Sequence, residues 1–575
     1  MKGDELEITD ETSDIVDDEP LITSTSTQPL PSSNHKSKKK KNKKGKEKHT
    51  SNKEEDTIDA ILQSLEIKAN SSTEKAAVNA KTENTKFQLN SVKEPTSSIL
   101  LVDPKFLRPE TELRRIFGSD VVKSFESNNS SGNSRQIRGG RRRTHNPRKT
   151  VLVSPSDNWP RWDGSLSVEL LETKDGKNFY KYVHSSSYSQ AQRAFDAAKT
   201  LHDLNGIASV LMYHPYHIES LLTIADVHKF SGEHQSSADL ISRCLFALEC
   251  AWHPMFSPLL GNCQLKYKHD TNKLLFTVLF SYMQNMERRG CHRSALEVCK
   301  LLLSLDSDDP VGAMFCIDYF AIRSQEYLWL ERFSEEYQND NSLWLFPNLS
   351  YSLAICRFYL EHEPGSSSET ASEDREKATS ADLMKQALML HPLVLKKIVA
   401  KAPLKDPAWT TILKHSFFGS AQAGGPSLEH LINIYVEVNY IVWRLPDLQT
   451  LLRDAAQLVV ETLDHNGREA KDWACMRKEA FSSERNEYSH LSIPDFSSSV
   501  PTIPPEEVRN FMVDPQMAHA LPNGDNGGIP DDIAANIPLE VADRNPIAVF
   551  LESLLPWNDF GSGQGDHHVD EGGEE

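Results

Sequence analysis

LLFTVLFSYMQNMERRGCHRSALEVCKLLLSLDSDDP, residues 274–310, reads as two helices folded back on one glycine. The first is apolar and ends at Arg288-Arg289-Gly290. The second carries Ala295, Leu296, Cys299, Leu302 and Leu303 on one face and stops at Asp306-Ser307-Asp308-Asp309-Pro310. Gly290 reverses the chain where a side chain would clash. Ala295, five residues on, lets two antiparallel helices approach closely. This is tetratricopeptide-like logic. Stacked helix pairs present a concave surface for other proteins rather than a pocket for chemistry.

The same pattern extends outward, from about His214 to Leu390. After Gly232, the residues Ala238, Ile241, Leu245 and Leu248 line one helix face. Leu353–Leu360 and Ala381–Leu390 form a later pair around a Ser/Glu-rich insert, 362–379, expected to be disordered. Helices continue through Ser427–Leu445 and Pro446–Asp464, with Trp473 near the edge of the body. Gly232 and Gly290 lie much farther apart than a tetratricopeptide period of about 34 residues, so the repeats are degenerate and interrupted. Upstream, SVELLET and KNFYKYV flank Lys174-Asp175-Gly176, which signals a β-hairpin. Trp159 and Trp162 in NWPRWDG are expected to lock this segment onto the first helices. The expected fold is therefore mainly α. It is a degenerate tetratricopeptide-like α-solenoid over 151–475 with a small N-terminal β-hairpin, a long disordered N-terminal region and a polar C-terminal linker.

The 575 residues carry a net charge of −19 and are 38% hydrophobic, but unevenly. Residues 1–19 hold nine acidic side chains against one lysine, while 36–48 hold nine lysines. The last ten residues are acidic again. Blocks of like charge stay solvated and disordered. Met1–Glu19 has no apolar run and no stretch reaches the roughly 20 apolar residues of a membrane span. A soluble, intracellular protein is expected. Eight cysteines without a CxxC pair read as reduced core thiols.

Within 1–100, two features stand out. The run KSKKKKNKKGKEK, with Lys38, Lys39, Lys40, Lys41, Lys43 and Lys44, suits nuclear import or salt-sensitive contact with RNA phosphates. A solvated tail without a partner is the bland alternative. A short helix over 56–67, capped by Asp56, puts Ile58, Ile61, Leu62 and Leu65 on one face. Too short to stand alone, it is a candidate for docking in a partner's groove or a transient helix without a role. Residues 101–150 hold a helix within DPKFLRPETELRRIFGSDVV, then a basic linker. Leu113, Ile116 and Phe117 make the helix's apolar face, and docking on the main domain is the favoured use. In the linker, RGGRRRTHNPRK offers Arg141, Arg142 and Arg143 as forked phosphate donors, a second candidate for RNA contact. Residues 476–543 read as linker or wrapping arm, 544–558 (RNPIAVFLESLLPW and its flank) as an amphipathic helix and 559–575 as an acidic tail.

Catalytic and cofactor motifs are missing. There is no GxxxxGK[ST], no GxGxxG after a strand, no HExxH and no nucleophile elbow. Cys244, Cys250, His253 and Cys263 match no familiar zinc spacing. His214, His217 and His228 read as satisfied helix-pairing residues rather than general bases. The sequence points to a non-enzyme with neither cofactor nor metal.

Taken together, the lysine run followed by DTIDAILQSL, with KFLRPETELRRIFGSDVV, HPYHIESLLTIADV, RRGCHRSALEVCKLLLSLD and NPIAVFLESLLPW, resembles the transcription factor 25 or nuclear localised protein family. Its yeast relative is a ribosome quality control complex subunit. The resemblance implies an accessory, non-catalytic subunit. Its implied partners are a listerin-type RING ubiquitin ligase, ubiquitin, the large ribosomal subunit, the nascent-chain-tailing factor and the valosin-containing AAA ATPase. It would favour ubiquitination and degradation of stalled nascent chains. The implied location is cytoplasmic and ribosome-associated, with a nuclear role in an older reading of the family as transcriptional repressors. No sequence-specific DNA binding is expected, because no helix-turn-helix, zinc-finger or basic-zipper pattern is present. The short Arg/Leu-rich stretch that opens family members has no counterpart before the acidic segment here.

Overall fold

A computed structural model of the chain describes residues 99–122, 150–363 and 377–512, apart from positions 157, 341, 498 and 500–503. The helix expected over 56–67, the one over 544–558 and the interior of the insert lie outside the described residues. What is described is mainly helical with one small sheet. Helix α1 spans Pro109–Phe117. The sheet holds β1 (Leu166–Lys174), β2 (Lys177–His184) and β3 (Cys263–Leu265) in the order β1-β2-β3. The expected hairpin forms on Asp175 and Gly176, both with positive φ (52° and 76°), as a two-residue turn matched to the strand twist requires. β3 joins β2 in parallel and escapes sequence reading because it is only three residues, CQL.

Four helical hairpins follow: α2 (Ser186–Thr200) with α3 (Leu204–Tyr213), α4 (Ile218–Phe230) with α5 (His234–Cys250), α6 (Asp270–Arg288) with α7 (His292–Leu305), and α8 (Ile317–Arg323) with α9 (Tyr327–Glu336). Each turns in the same way. A left-handed residue ends the first helix: His202, Gly232, Gly290 or Gln325, with φ of 52°, 86°, 74° and 64°. The next residue then donates its N–H to the carbonyl five positions back. Asp203 to Ala198, Glu233 to His228, Cys291 to Met286 and Glu326 to Ala321 all measure 2.9 Å. This is the Schellman closure, which satisfies carbonyls the helix end leaves open. The middle spacing is stretched by the segment that carries β3, between α5 and α6.

The acidic stop Asp306–Pro310 ties down three elements. Asp306 accepts from Lys266 (2.6 Å) and from the Tyr267 N–H (2.9 Å), beside β3. Asp309 accepts the Ala313 and Met314 N–H groups, each at 2.8 Å. Trp159 and Trp162 pack on Phe246 and Tyr216, with ring centroids 5.5 and 5.4 Å apart.

Beyond these hairpins come α10 (Pro347–Glu361), α11 (Ser380–Leu390), α12 (Pro392–Lys401), α13 (Ala408–Lys414), α14 (Ser416–Gly419), α15 (Pro426–Asn439), α16 (Pro446–His465), α17 (Arg468–Ala480) and α18 (Glu506–Met512). Fully buried Asp318 joins α8, α10 and α15. It accepts from Asn348 (3.1 Å), Ser352 (2.7 Å) and Asn439 (3.3 Å). A buried carboxylate held by three donors fixes how these helices meet. The chain after α17, read from sequence as linker or wrapping arm, packs back over the body as an arm as far as α18. Leu491 and Phe496 are buried against Gly312, and Phe511 of α18 meets His202 edge-on at 5.4 Å. Their wide spacing in polar sequence hides them from periodicity.

Candidate interaction surfaces

Helix α1 docks on α7, but not by the expected face. Pro109 and Glu112 are its buried residues and Leu113 is half-buried, while Ile116 and Phe117 remain 50% and 58% exposed. The reason lies at the start of α7. Its N-cap, Cys291, makes no side-chain capping bond. Glu112 supplies the cap from outside, accepting the Arg293 N–H at 3.1 Å and the Ser294 N–H at 2.8 Å. Two more carboxylates hold upstream backbone in the same way. Glu297 accepts the Asp103 N–H (2.8 Å), and Glu249 accepts the N–H groups of Val151 and of Leu152 (3.1 Å). Burial pushes the Glu249 carboxyl up to about 7, against the pull of those backbone donors and Arg108. Extended backbone is thus seized by buried acids, a pattern that hydrophobic periodicity cannot reveal.

A groove of about 820 Å³ opens between α10, the start of α11 and α16. Phe358, Tyr359, Leu451, Ala455 and Leu458 form its apolar wall. Asp447, Asp454 and Glu461, spaced by sevens, fall on one exposed stripe of α16 along it. Among the described residues, the one cation bonded to this stripe is Arg453, 3.0 Å from Asp454. An apolar trough with an acidic rim fits a cationic amphipathic segment, apolar side inward.

The lysines and arginines singled out from sequence (Lys38–Lys44 and Arg141–Arg143), and the Ile58, Ile61, Leu62 and Leu65 face, lie outside the described residues. The Cys244, Cys250, His253 and Cys263 set does not converge, and among the described residues no three potential ligands could hold a metal ion. Cys244, Cys263, Cys291, Cys316 and Cys356 are buried thiols whose ionisation burial opposes, Cys291 being pushed up to about 12. His217 caps α4 through Nδ1, which accepts the Ser220 N–H at 3.3 Å. Its burial pushes the ring's pKa down to about 3. Among the described residues, no helix is long and apolar enough to cross a membrane.

The family model described as transcriptional repressor TCF25 matches residues 180–517, more than half of the chain. The chain belongs to this family. It is similar to the ribosome quality control complex subunit TCF25 of Homo sapiens, at 31% identity over 465 residues, which is 80% of this chain and 66% of that protein. It is also similar to the subunit of the same name in Dictyostelium discoideum, at 25% identity, covering 79% and 73% of the two chains. Ribosome quality control complex subunit 1 of Schizosaccharomyces pombe is 33% identical over 269 residues, 46% of this chain and 39% of that protein. The chain thus spans just under two thirds of the human relative's length. No solved structure matches. The family match starts within β2 and ends just past α18, so it takes in the hairpins, the acidic groove and the returning arm, and leaves out α1.

Proposed function

We propose that this protein is a non-catalytic accessory subunit of the ribosome quality control complex. It would assist a listerin-type ubiquitin ligase in ubiquitinating stalled nascent chains on large ribosomal subunits. One observation carries the reading: the stretch matched by the family model, in which relatives named for that complex are found, covers the helical hairpins and the acidic groove of this chain. In this reading the hairpins are degenerate tetratricopeptide-like repeats. Turn spacings of 30 residues (His202 to Gly232) and 35 (Gly290 to Gln325), close to the period of about 34, support it. The protein contributes by positioning, raising the effective concentration of ligase, ubiquitin and nascent chain without a bond-breaking step. The basic segments at 36–48 and 138–149 supply ribosome affinity. The nascent-chain-tailing factor and the valosin-containing AAA ATPase act in the same assembly, and the setting is cytoplasmic.

A nuclear transcriptional repressor acting through protein partners is the second reading, favoured by the family's own description. Purification of the tagged full chain with quantitative mass spectrometry separates the two. Ligase and large-subunit proteins in stoichiometric amounts support the first. Chromatin proteins in their place overturn it.

A further inference from the structure

A second cavity, of about 580 Å³, lies where three hairpin turns converge. His234 follows the Gly232 turn, Arg288, Gly290 and His292 surround the next, and Arg323 precedes the Gln325 turn; Glu287, Tyr319 and Ile441 complete the wall. Its two arginines are held in an unusual way. The Arg288 guanidinium donates to His234 Nδ1 at 3.1 Å, and Arg323 donates through Nε and Nη2 to His292 Nε2 at 3.3 and 3.1 Å. Among the described residues, neither guanidinium lies within 4.0 Å of a carboxylate oxygen. Arg293, one turn along, instead takes carboxylates, those of Glu297 and Glu326 at 3.1 and 2.6 Å.

A neutral imidazole that accepts a hydrogen bond orients a guanidinium without cancelling its charge. Burial, reinforced by Arg323, pushes His292 down to about 4, and burial with Arg288 lowers His234, so both rings are neutral near pH 7. The local acid, Glu287, takes the Tyr319 hydroxyl and is also drawn by both guanidiniums, but one carboxyl, itself pushed up by burial, offsets at most one of the two charges. Each guanidinium has five N–H donors and its histidine occupies one or two. Both arginines line the one cavity, and a forked guanidinium donor matches a tetrahedral oxyanion.

We propose that the Arg288–Arg323 cavity binds a phosphoryl group borne on a side chain of a partner protein. A phosphorylated side chain fits better than a nucleic-acid backbone. Two cations neutralise too few phosphates to hold a polyanion against a chain of net charge −19. Glu233 and Glu326 also sit at the flanking turns. The inference rests on the cavity alone and is independent of the ribosome reading.

The test titrates full-length protein by calorimetry with a Gly-Gly-phosphoserine-Gly-Gly peptide, its unphosphorylated twin, inorganic phosphate and single-stranded oligouridylate. Saturable one-to-one binding of the phosphopeptide is expected, weakened at least ten-fold in Arg288→Gln and in Arg323→Gln. Arg332→Gln, on an exposed arginine paired with Glu336, is expected to bind like wild type. Inorganic phosphate should compete, and the twin should not bind. Should either variant misfold, histidine-selective NMR of the wild-type protein decides, because the phosphopeptide must move the His234 and His292 ring signals. Wild-type affinity in both folded variants, unmoved rings, or oligouridylate binding without phosphopeptide binding overturns the proposal.

Discussion

Glu112 and Ser294 are 182 positions apart in sequence, yet the Glu112 carboxylate accepts the Ser294 backbone N–H at 2.8 Å and thereby caps α7. The helix has no cap of its own at Cys291, so its first turn depends on a strap far upstream. Glu112→Ala leaves two N–H groups of that turn without their acceptor. A loss of about 1–3 kcal/mol is expected, read by urea unfolding, with Glu112→Gln losing less because one amide oxygen remains. Cleavage within 103–117 under limited proteolysis should rise in parallel. An Ala variant as stable as wild type would show the cap to be idle.

The four equivalent turns make opposite predictions for glycine and for its substitutes. At Gly290, φ is 74° and an added Cβ would meet nothing within 4 Å, so Gly290→Ala is expected to cost about 1 kcal/mol through backbone strain alone. At Gln325, φ is 64° on a residue with a Cβ. Gln325→Gly removes that strain and raises unfolded-chain entropy, so it should be neutral or stabilising by up to about 0.5 kcal/mol. Urea midpoints moving the same way in both variants would contradict the equivalence.

These turns also show what the sequence could and could not disclose. Gly232 and Gly290 announce themselves, as do the Asp175-Gly176 hairpin and the apolar stripe of α7. His202 and Gln325 adopt the same closure without glycine, so half of the hairpin turns were silent, and the β3 segment stretched the one spacing that could be measured. The docking of 103–122 was legible as an amphipathic helix. Its face was not, because Glu112 is buried by two backbone donors while Ile116 and Phe117 stay exposed. The acidic groove needs α10 beside α16, some ninety residues apart, and the Arg288–Arg323 cavity needs three turns at once. Neither juxtaposition leaves a periodic trace.

His391 gives a pH-dependent prediction. It is fully buried, its Nε2 donates to the Leu345 carbonyl at 2.8 Å, and burial pushes its pKa down to about 3. Below the unfolded value near 6.5 the unfolded chain binds a proton that the folded chain refuses until about 3. Stability is therefore lost as pH falls through that window, by up to about 1.4 kcal/mol per pH unit for this one site. His391→Gln keeps a donor but does not titrate. The stability advantage of wild type over this variant should shrink from pH 7 to pH 4 in urea unfolding. His217, His292 and Glu249 titrate in both proteins and cancel in the difference. A constant gap would mean that His391 titrates alike in the folded and unfolded chain.

The groove calls for a charge test. Asp447, Asp454 and Glu461 are exposed, so reversing all three to Lys should leave the melting temperature within about 2 °C, the single Arg453 pair being worth little at the surface. Binding of a Leu/Lys amphipathic peptide, followed by fluorescence anisotropy, should be abolished by the reversal. A matched triple reversal at the exposed Asp472, Glu479 and Glu484, on and just after α17, should leave it intact. Equal losses in both proteins would reduce the effect to net charge.

Gly312 marks where the returning arm closes on the body. An added Cβ would sit 2.9 Å from Leu491 Cδ1 and from Phe496 Cζ, on a backbone with φ of 74°. Gly312→Ala therefore combines left-handed strain with overpacking, for an expected cost of about 2–4 kcal/mol, well above that of Gly290→Ala. The two terms separate in a double-mutant cycle. Phe496→Ala removes the ring that the new methyl strikes, so the Gly312→Ala penalty measured in its background should fall by at least about 1 kcal/mol. Strictly additive costs would mean that the arm does not rest on Gly312, and that residues 488–496 contribute nothing to the closure of the body.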